Sequence, residues 1–293
     1  MIRYGLTLKI TYKFDRPSGA GRQLLRVRPQ SIPGVQLVNS CRLTTQPKAI
    51  ELRSFTDFFG TTVDEVVLPA GLDDLVIEMR AEVIRRGKEA AAADLSTHRD
   101  QLAVDLAALH DLGPQSPHHF LFPTEQIPPV PAIAAYAAKA VEGTQTVRQA
   151  VQALGEALHN DLSFDAKATT VDTPIIESFE KRHGVCQDFS QIMISGLRSL
   201  GIPAAYVSGF LRTLPPPGKP RLQGADAMHA WVRAWCGVEQ GWIEYDPTNS
   251  CFVTTDHVVI GYGRDYADAA PVTGMLRING TQRTGHSVDI IEL

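Results

Sequence analysis

The segment from His183 to Ser190 places a cysteine at the point where a glycine turn leads into a helix. Apolar residues follow Cys186 at spacings of three and four, namely Phe189, Ile192, Met193, Leu197 and Leu200. This spacing predicts a helix with one buried face. Gly201 and Pro203 predict where that helix ends. The thiol of Cys186 is therefore expected in the first helical turn.

The first turn of a helix favours a thiolate over a thiol. Its backbone N–H groups are unpaired, and the helix dipole is positive there. The thiolate is the nucleophilic form of cysteine, and a nearby imidazolium would favour it further. We interpret Asp188, in the same turn, as a complement to the helix N-terminus. The alternative for Cys186 alone is a small buried hydrophobic residue.

Two strand-like segments downstream supply a histidine and an aspartate. Residues 226–235 alternate, with His229, Trp231 and Arg233 on one face. Residues 241–249 form a second short strand, which Pro247 ends just after Asp246.

A helix N-terminus packed on two adjacent antiparallel strands can bring Cys186, His229 and Asp246 together. Asp246 would then orient the imidazole, and the imidazole would take the thiol proton. Taken singly, His229 could be a core histidine and Asp246 could be a turn former.

Four motifs in this order resemble those of the bacterial transglutaminase-like superfamily. They are Gly184–Phe189 (GVCQDF), Gly201–Gly209 (GIPAAYVSG), His229–Trp231 (HAW) and Gly241–Asn249 (GWIEYDPTN). The resemblance implies an α+β fold with a papain-like catalytic domain, of the cysteine proteinase and transglutaminase kind. It also implies a Cys-His-Asp triad, which falls on Cys186, His229 and Asp246.

The first 85 residues predict an all-β domain, either a sandwich or a barrel. Alternating apolar runs separated by Gly, Pro and Asp occur at 6–14, 22–29, 36–45, 50–55, 61–69 and 75–84. Their order resembles the bacterial transglutaminase-like N-terminal region. Residues 86–130 are interpreted as a linker with helical pieces, including 101–110, and residues 131–293 as the catalytic domain. Within the latter we predict helices at 132–142 and 146–160, and a hairpin turn at Asn279-Gly280.

The net charge and the spacing of the cysteines indicate which binding partners and which cellular compartment to expect. The net charge is −4, from 28 basic and 32 acidic residues, and the chain has no basic block. We therefore expect neither nucleic acid nor a membrane as a partner. The N-terminus begins with strand-like alternation, and the four cysteines are scattered rather than paired. Both features predict a cytoplasmic protein with reduced thiols.

Two further side chains are candidates for contact with substrate or an oxyanion. Gln187 follows the cysteine directly, and Trp231 lies on the same strand face as His229. Both also have a structural interpretation, as a surface helix residue and as core packing respectively. The backbone N–H of Cys186 is a further oxyanion donor candidate.

The sequence predicts no metal and no cofactor. It has no H-E-x-x-H, no phosphate loop, no G-x-G-x-x-G, no paired C-x-x-C and no oxygen-rich calcium loop. It favours a thiol-dependent acyl-transfer enzyme acting on peptide or carboxamide bonds of a peptide or protein substrate, most simply a cysteine peptidase or amidase. A protein-glutamine transglutaminase and a catalytically silent binding or scaffold module stay open.

Overall fold

The computed structural model describes residues 1–87, 93–213, 224, 226–278 and 280–293. Helices and antiparallel sheets occupy largely separate parts of the chain, which is an α+β architecture. The fold class predicted from the sequence is confirmed.

Six strands fill the N-terminal region, close to the six predicted runs. They are β1 (Ile2–Phe14), β2 (Gly21–Leu25), β3 (Gln36–Gln46), β4 (Glu51–Thr56), β5 (Thr62–Leu68) and β6 (Asp74–Arg85). Every second side chain of β1 from Tyr4 to Phe14 is buried. This follows because alternate side chains of a strand point to opposite faces of its sheet.

Three helices follow, at the predicted places to within two residues at each end. They are α1 (Leu102–Ala108), α2 (Pro131–Ala140) and α3 (Val147–Asp161). The start of α3 is fixed by a reciprocal cap. The Thr146 hydroxyl accepts from the N–H of Gln149 at 3.3 Å, and the Gln149 side chain accepts from the N–H of Thr146 at 3.4 Å.

The central helix is α5 (Cys186–Ser199), and it begins at the predicted cysteine. Two short strands, β7 (Ser163–Phe164) and β8 (His183–Gly184), and the helix α4 (Ile175–Lys181) precede it. Side chains of α5 share one apolar core with α2 and α3, for example Ile192 with Ile133 and Leu154. This helix is therefore covered by protein on more than one side.

A five-stranded antiparallel sheet lies against α5. Its strands are β9 (Ala204–Leu211), β10 (Ala227–Trp235), β11 (Trp242–Asp246), β12 (Cys251–Phe252) and β13 (His257–Gly263), in the order β12-β11-β10-β9-β13. Strands β10 and β11 are adjacent and antiparallel, as predicted. The core of α5 includes Ala230 and Val232 from β10 and Tyr206 from β9.

The last part of the chain returns to the N-terminal sheets. After α6 (Tyr266–Ala269), β14 (Val272–Leu276) pairs with β2, and β15 (Gln282–Glu292) pairs with β1. The resulting sheets have the orders β14-β2-β5-β4 and β15-β1-β6-β3. The predicted hairpin is therefore wrong, because the two strands join different sheets. Asn279 itself lies outside the described residues.

The two N-terminal sheets share one apolar core and form a sandwich. That core includes Leu8 and Leu25, one from each sheet, and it extends to Phe210, Val258 and Ile260 of the five-stranded sheet. The boundaries 1–85, 86–130 and 131–293 stay predictions. The strand pairing also shows that two strands from the end of the chain, β14 and β15, complete the N-terminal sheets.

Gly209 gives a test of how β9 supports β10. It lies opposite His229, and a Cβ there would come within 2.3 Å of the Trp231 ring and 2.4 Å of the Val258 carbonyl oxygen. We expect Gly209→Ala to lower the free energy of unfolding by about 1–3 kcal/mol, measured by urea titration. Gly5→Ala is the control, since its Cβ would meet Leu293 at an ordinary 3.4 Å. Equal stability of the two variants would contradict the packing argument.

Candidate active site

The first turn of α5 is fixed by a buried carboxylate. Asp188 accepts a hydrogen bond from the backbone N–H of Val185 at 2.8 Å, which closes the helix N-terminus. The hydroxyls of Thr169 and Ser178 donate to the same carboxylate at 2.6 and 2.8 Å. The interpretation of Asp188 as an N-terminal complement is thus confirmed. Cys186, two residues earlier, is held in a defined position and is partly exposed.

The three predicted triad residues lie together. His229 on β10 and Asp246 at the end of β11 are both buried, and Nε2 of the imidazole lies 2.7 Å from Oδ2 of the carboxylate. The Cys186 thiol, at the N-terminus of α5, interacts electrostatically with the same imidazole. Since Nε2 faces Asp246, Nδ1 is the ring nitrogen left for the thiol. The order of groups is therefore thiol, imidazole, carboxylate.

The environment of His229 favours its protonated form. Burial favours the neutral ring, but the interactions with Asp246 and Cys186 outweigh burial and raise the pKa of His229 above 6.5. An imidazolium next to a thiol stabilises the thiolate. The imidazole beside the thiol therefore carries a proton that it can donate.

Asp246 is held in its charged form. Burial opposes the charge, but hydrogen bonds from His229 and His257 outweigh burial and hold the pKa of Asp246 well below 3.8. The Asn249 side chain adds a donor at 2.7 Å, and the backbone N–H groups of Thr248 and Asn249 donate at 2.9 and 3.1 Å. A carboxylate so paired orients the imidazole and does not take up its proton.

His257 is a site residue that the sequence analysis missed. Its Nε2 lies 3.1 Å from Oδ2 of Asp246, beside the His229 contact. Its Nδ1 accepts from the backbone N–H of Thr254 at 3.3 Å, so the proton of the ring is on Nε2, where it donates to the carboxylate. The strand β13 that carries it is buried along its whole length, so no alternation of buried and exposed positions marks His257 in the sequence.

His229, Asp246 and His257 also have the chemistry of metal ligands. Their nearest ligand atoms lie within 4.8 Å of one another, and all three residues are buried. The same atoms are hydrogen-bonded as described above, and this pairing accounts for the cluster without an ion. It is nevertheless the place where a divalent metal would meet two imidazoles and a carboxylate.

The two oxyanion candidates lie close to the triad but make other contacts. The Gln187 amide donates to the Val171 carbonyl oxygen at 3.2 Å. Trp231 is fully buried, and its indole N–H donates to Glu244 at 2.8 Å, so it packs beneath the site and does not face substrate. The N–H of Cys186, at the start of the helix, remains the oxyanion donor candidate.

Two family models match the chain, and together they cover the regions just described. The transglutaminase-like superfamily matches residues 134–247, a range that contains Cys186, His229 and Asp246. The bacterial transglutaminase-like N-terminal region matches residues 4–84. Residues 134–247 are a transglutaminase-like core, and residues 4–84 are a bacterial transglutaminase-like N-terminal region. The resemblance seen in the sequence motifs is confirmed for both regions.

Curated relatives of this transglutaminase-like protein occur in mycobacteria. An uncharacterised protein of Mycobacterium tuberculosis H37Rv is 38% identical over 164 residues, which are 55% of this chain and 52% of the relative. The match thus spans about half the length of that relative. An uncharacterised protein of Mycobacterium leprae is 29% identical over 285 residues, which are 96% of each chain.

A solved structure has the same fold over the whole chain. It is a protein of Cytophaga hutchinsonii described as a candidate cysteine protease, with a TM-score of 0.76 and 22% identity. The alignment covers 100% of this chain and 91% of that one. At this identity the likeness shows the shared fold, including the sandwich and the papain-like core.

The role of His257 can be tested by acid unfolding. A carboxylate whose pKa is lowered by folding stabilises the protein above its unfolded pKa, near 3.8 for Asp246, and this stabilisation is lost as the pH falls. His257→Phe removes a donor and so raises the folded pKa of Asp246, whereas His257→Gln can still donate. We expect the Phe variant to unfold at a higher pH on acid titration followed by circular dichroism.

The comparison between the two His257 variants is internally controlled. Both lack the imidazole, so the titration of His257 itself cancels. We expect the Phe variant to be less stable by about 1–3 kcal/mol at neutral pH, the cost of a lost hydrogen bond to a charged group. Identical acid midpoints would show that His257 does not stabilise the carboxylate.

Proposed function

We propose that this protein is a thiol-dependent acyl-transfer enzyme acting on peptide or carboxamide bonds, and specifically a cysteine peptidase or amidase. The observation that carries the proposal is the His229–Asp246 hydrogen bond of 2.7 Å beside Cys186, which begins α5. The raised pKa of His229 supports it, because a protonated ring beside the thiol supplies both the thiolate and the acid that the reaction needs.

In the acylation step, the Cys186 sulfur attacks the carbonyl carbon and a tetrahedral oxyanion forms. In this proposal the backbone N–H of Cys186 donates to that oxyanion. His229 then gives its proton to the departing nitrogen as the C–N bond breaks. The products are an amine, or ammonia from a carboxamide, and a thioester on Cys186.

In the deacylation step, water attacks the thioester and passes a proton to His229. The C–S bond breaks, and the products are a carboxylic acid and the free thiolate. Cys186 is partly exposed, while His229 and Asp246 are buried. Since the acylated sulfur would meet solvent, water is the acceptor that we propose.

The second candidate is a protein-glutamine transglutaminase. It shares the acylation step and differs only in that a primary amine resolves the thioester. The transglutaminase-like core favours keeping it. A silent binding or scaffold module on the same fold is the remaining alternative.

We propose a peptide or protein substrate, with no nucleic acid or membrane partner. Among the described residues no helix is both long and apolar enough to cross a membrane. The four cysteines are unpaired. The cytoplasmic location stays a prediction from the sequence.

The activated thiol is tested by the pH dependence of iodoacetamide labelling, followed residue by residue with peptide mass spectrometry. We expect Cys186 to label rapidly below about pH 7, and this rapid labelling to be lost in His229→Ala. Cys41 and Cys251 are internal controls, because burial raises their pKa values, that of Cys251 to about 11.

Unchanged labelling of Cys41 and Cys251 in His229→Ala would show that the variant is folded. Slow labelling of Cys186 that rises only near pH 8–9, as for an ordinary thiol, would contradict the enzyme proposal. The silent binding module would then be the better interpretation.

The reaction itself is tested on unfolded casein with an added fluorescent primary amine. We expect cleaved peptides or glutamate in place of glutamine with the wild type and with Cys251→Ala, and neither product with Cys186→Ala. Mass spectrometry separates these products from amine adducts. Adducts as the main product would replace hydrolysis by transamidation, and no product of either kind would favour the binding module.

A further inference from the structure

A second site lies away from the thiol, between the N-terminal sandwich and the five-stranded sheet. It is a cavity of about 480 Å³, with walls that include Ile32 and Val35 from the N-terminal region. We call it the arginine pocket and define it by Arg85, Arg148, Arg233, Trp242, Glu244 and Tyr262. Neither Cys186 nor His229 lines it.

Arg233 packs against two aromatic rings. Its guanidinium carbon lies 4.7 Å from the centre of the Trp242 ring and 4.4 Å from that of Tyr262. One terminal nitrogen donates to Gln115, and Nε is buried without a hydrogen-bond partner. A guanidinium clamped in this way presents N–H groups in a fixed plane, which is the geometry that binds a carboxylate.

The acidic residue opposite Arg233 does not neutralise it. Glu244 faces Arg233 in the register of β10 and β11. Its carboxylate instead accepts from the indole N–H of Trp231 at 2.8 Å and from the Tyr262 hydroxyl at 3.1 Å. Both hydrogen bonds go to groups other than the guanidinium, and among the described residues Glu244 and Arg233 form no ion pair.

Arg85 is a buried cation held by neutral groups. It is 3% exposed, and its terminal nitrogens donate to the Thr254 carbonyl oxygen at 3.0 Å and to the Gln36 side chain at 3.4 Å. Its Nε has no partner among the described residues. Burial lowers the pKa of Arg85. The Glu244 carboxylate offsets part of this charge without an ion pair among the described residues, and the Arg85 Nε stays unsatisfied.

The lining of the pocket carries an excess of positive charge. Arg85, Arg86, Arg148 and Arg233 line it, against Glu244 as the acidic side chain. Within the described parts of the chain none of these arginines is in an ion pair. This differs from Arg28 in the sandwich, which is paired with Asp64 at 2.6 Å.

We propose that the arginine pocket binds a small molecule with a carboxylate on an apolar body. The carboxylate would lie at the edge of Arg233 and close to Arg85, where it supplies negative charge. The apolar body would lie against Ile32, Val35 and Phe252. The proposal does not depend on the chemistry at Cys186.

The test is isothermal titration calorimetry with 4-phenylbutyrate, an aromatic carboxylate that fits a cavity of this size. The neutral amide of the same acid is the matched ligand, and inorganic phosphate tests whether any anion suffices. We expect the carboxylate to bind the wild type at least about tenfold more tightly than the amide. Arg233→Gln is expected to lose about tenfold or more in affinity, while Arg53→Gln, an exposed arginine of β4, is expected to be unchanged.

Arg148→Gln provides a second variant if Arg233→Gln does not fold. Its guanidinium lies 4.8 Å from the centre of the Phe252 ring and can be removed with little loss of packing. We expect it to weaken carboxylate binding as well. Equal affinity for the acid and the amide, no binding of the carboxylate, or tight binding of phosphate alone would overturn the proposal.

Discussion

The buried carboxylate of Asp246 is the group on which the candidate site depends. An isolated charge in the interior is strongly unfavourable, so it must be satisfied by donors from its surroundings. Here those donors come from two strands and one turn, through His229, His257 and Asn249. The same hydrogen bonds that satisfy the charge therefore fix the imidazole that faces Cys186.

This dependence also explains the packing under the imidazole. Trp231 is fully buried, with its ring 5.2 Å from that of His257 and 6.2 Å from that of His229. Position 209 on the neighbouring strand β9 accepts only a glycine, because a Cβ there would overlap the indole of Trp231. The indole N–H needs a partner in this setting, and Glu244 provides it. Two polar residues of β11 thus fix the imidazole: Asp246 bonds to it directly, and Glu244 holds the indole that packs beneath it.

The sequence could predict the parts of the fold that local patterns determine. The alternation of β1 and the spacing of Phe189, Ile192 and Met193 in α5 follow directly from which side chains must be buried. Cys186, His229 and Asp246 could be brought together because a helix start packed on two adjacent strands allows it, and because the motifs that carry these residues resemble those of the transglutaminase-like superfamily.

The rest depends on pairings between distant parts of the chain. No local pattern states that β15 pairs with β1, and the sequence instead favoured a hairpin between β14 and β15. The same limit hid His257, because β13 is buried on both faces and has no alternation to reveal which side chains face the sheet of the triad. Trp231 was placed correctly on the strand, but its hydrogen-bond partner on β11 could not be known.

The burial of β13 on both faces gives the N-terminal sandwich a part in the site. Val258 and Ile260 belong to the core of the sandwich, whereas His257, at the start of the same strand, donates to Asp246. The sandwich therefore holds the strand that completes the environment of the carboxylate. Since the arginine pocket lies along this same junction, its occupant would contact both the sandwich and the strands next to Trp231.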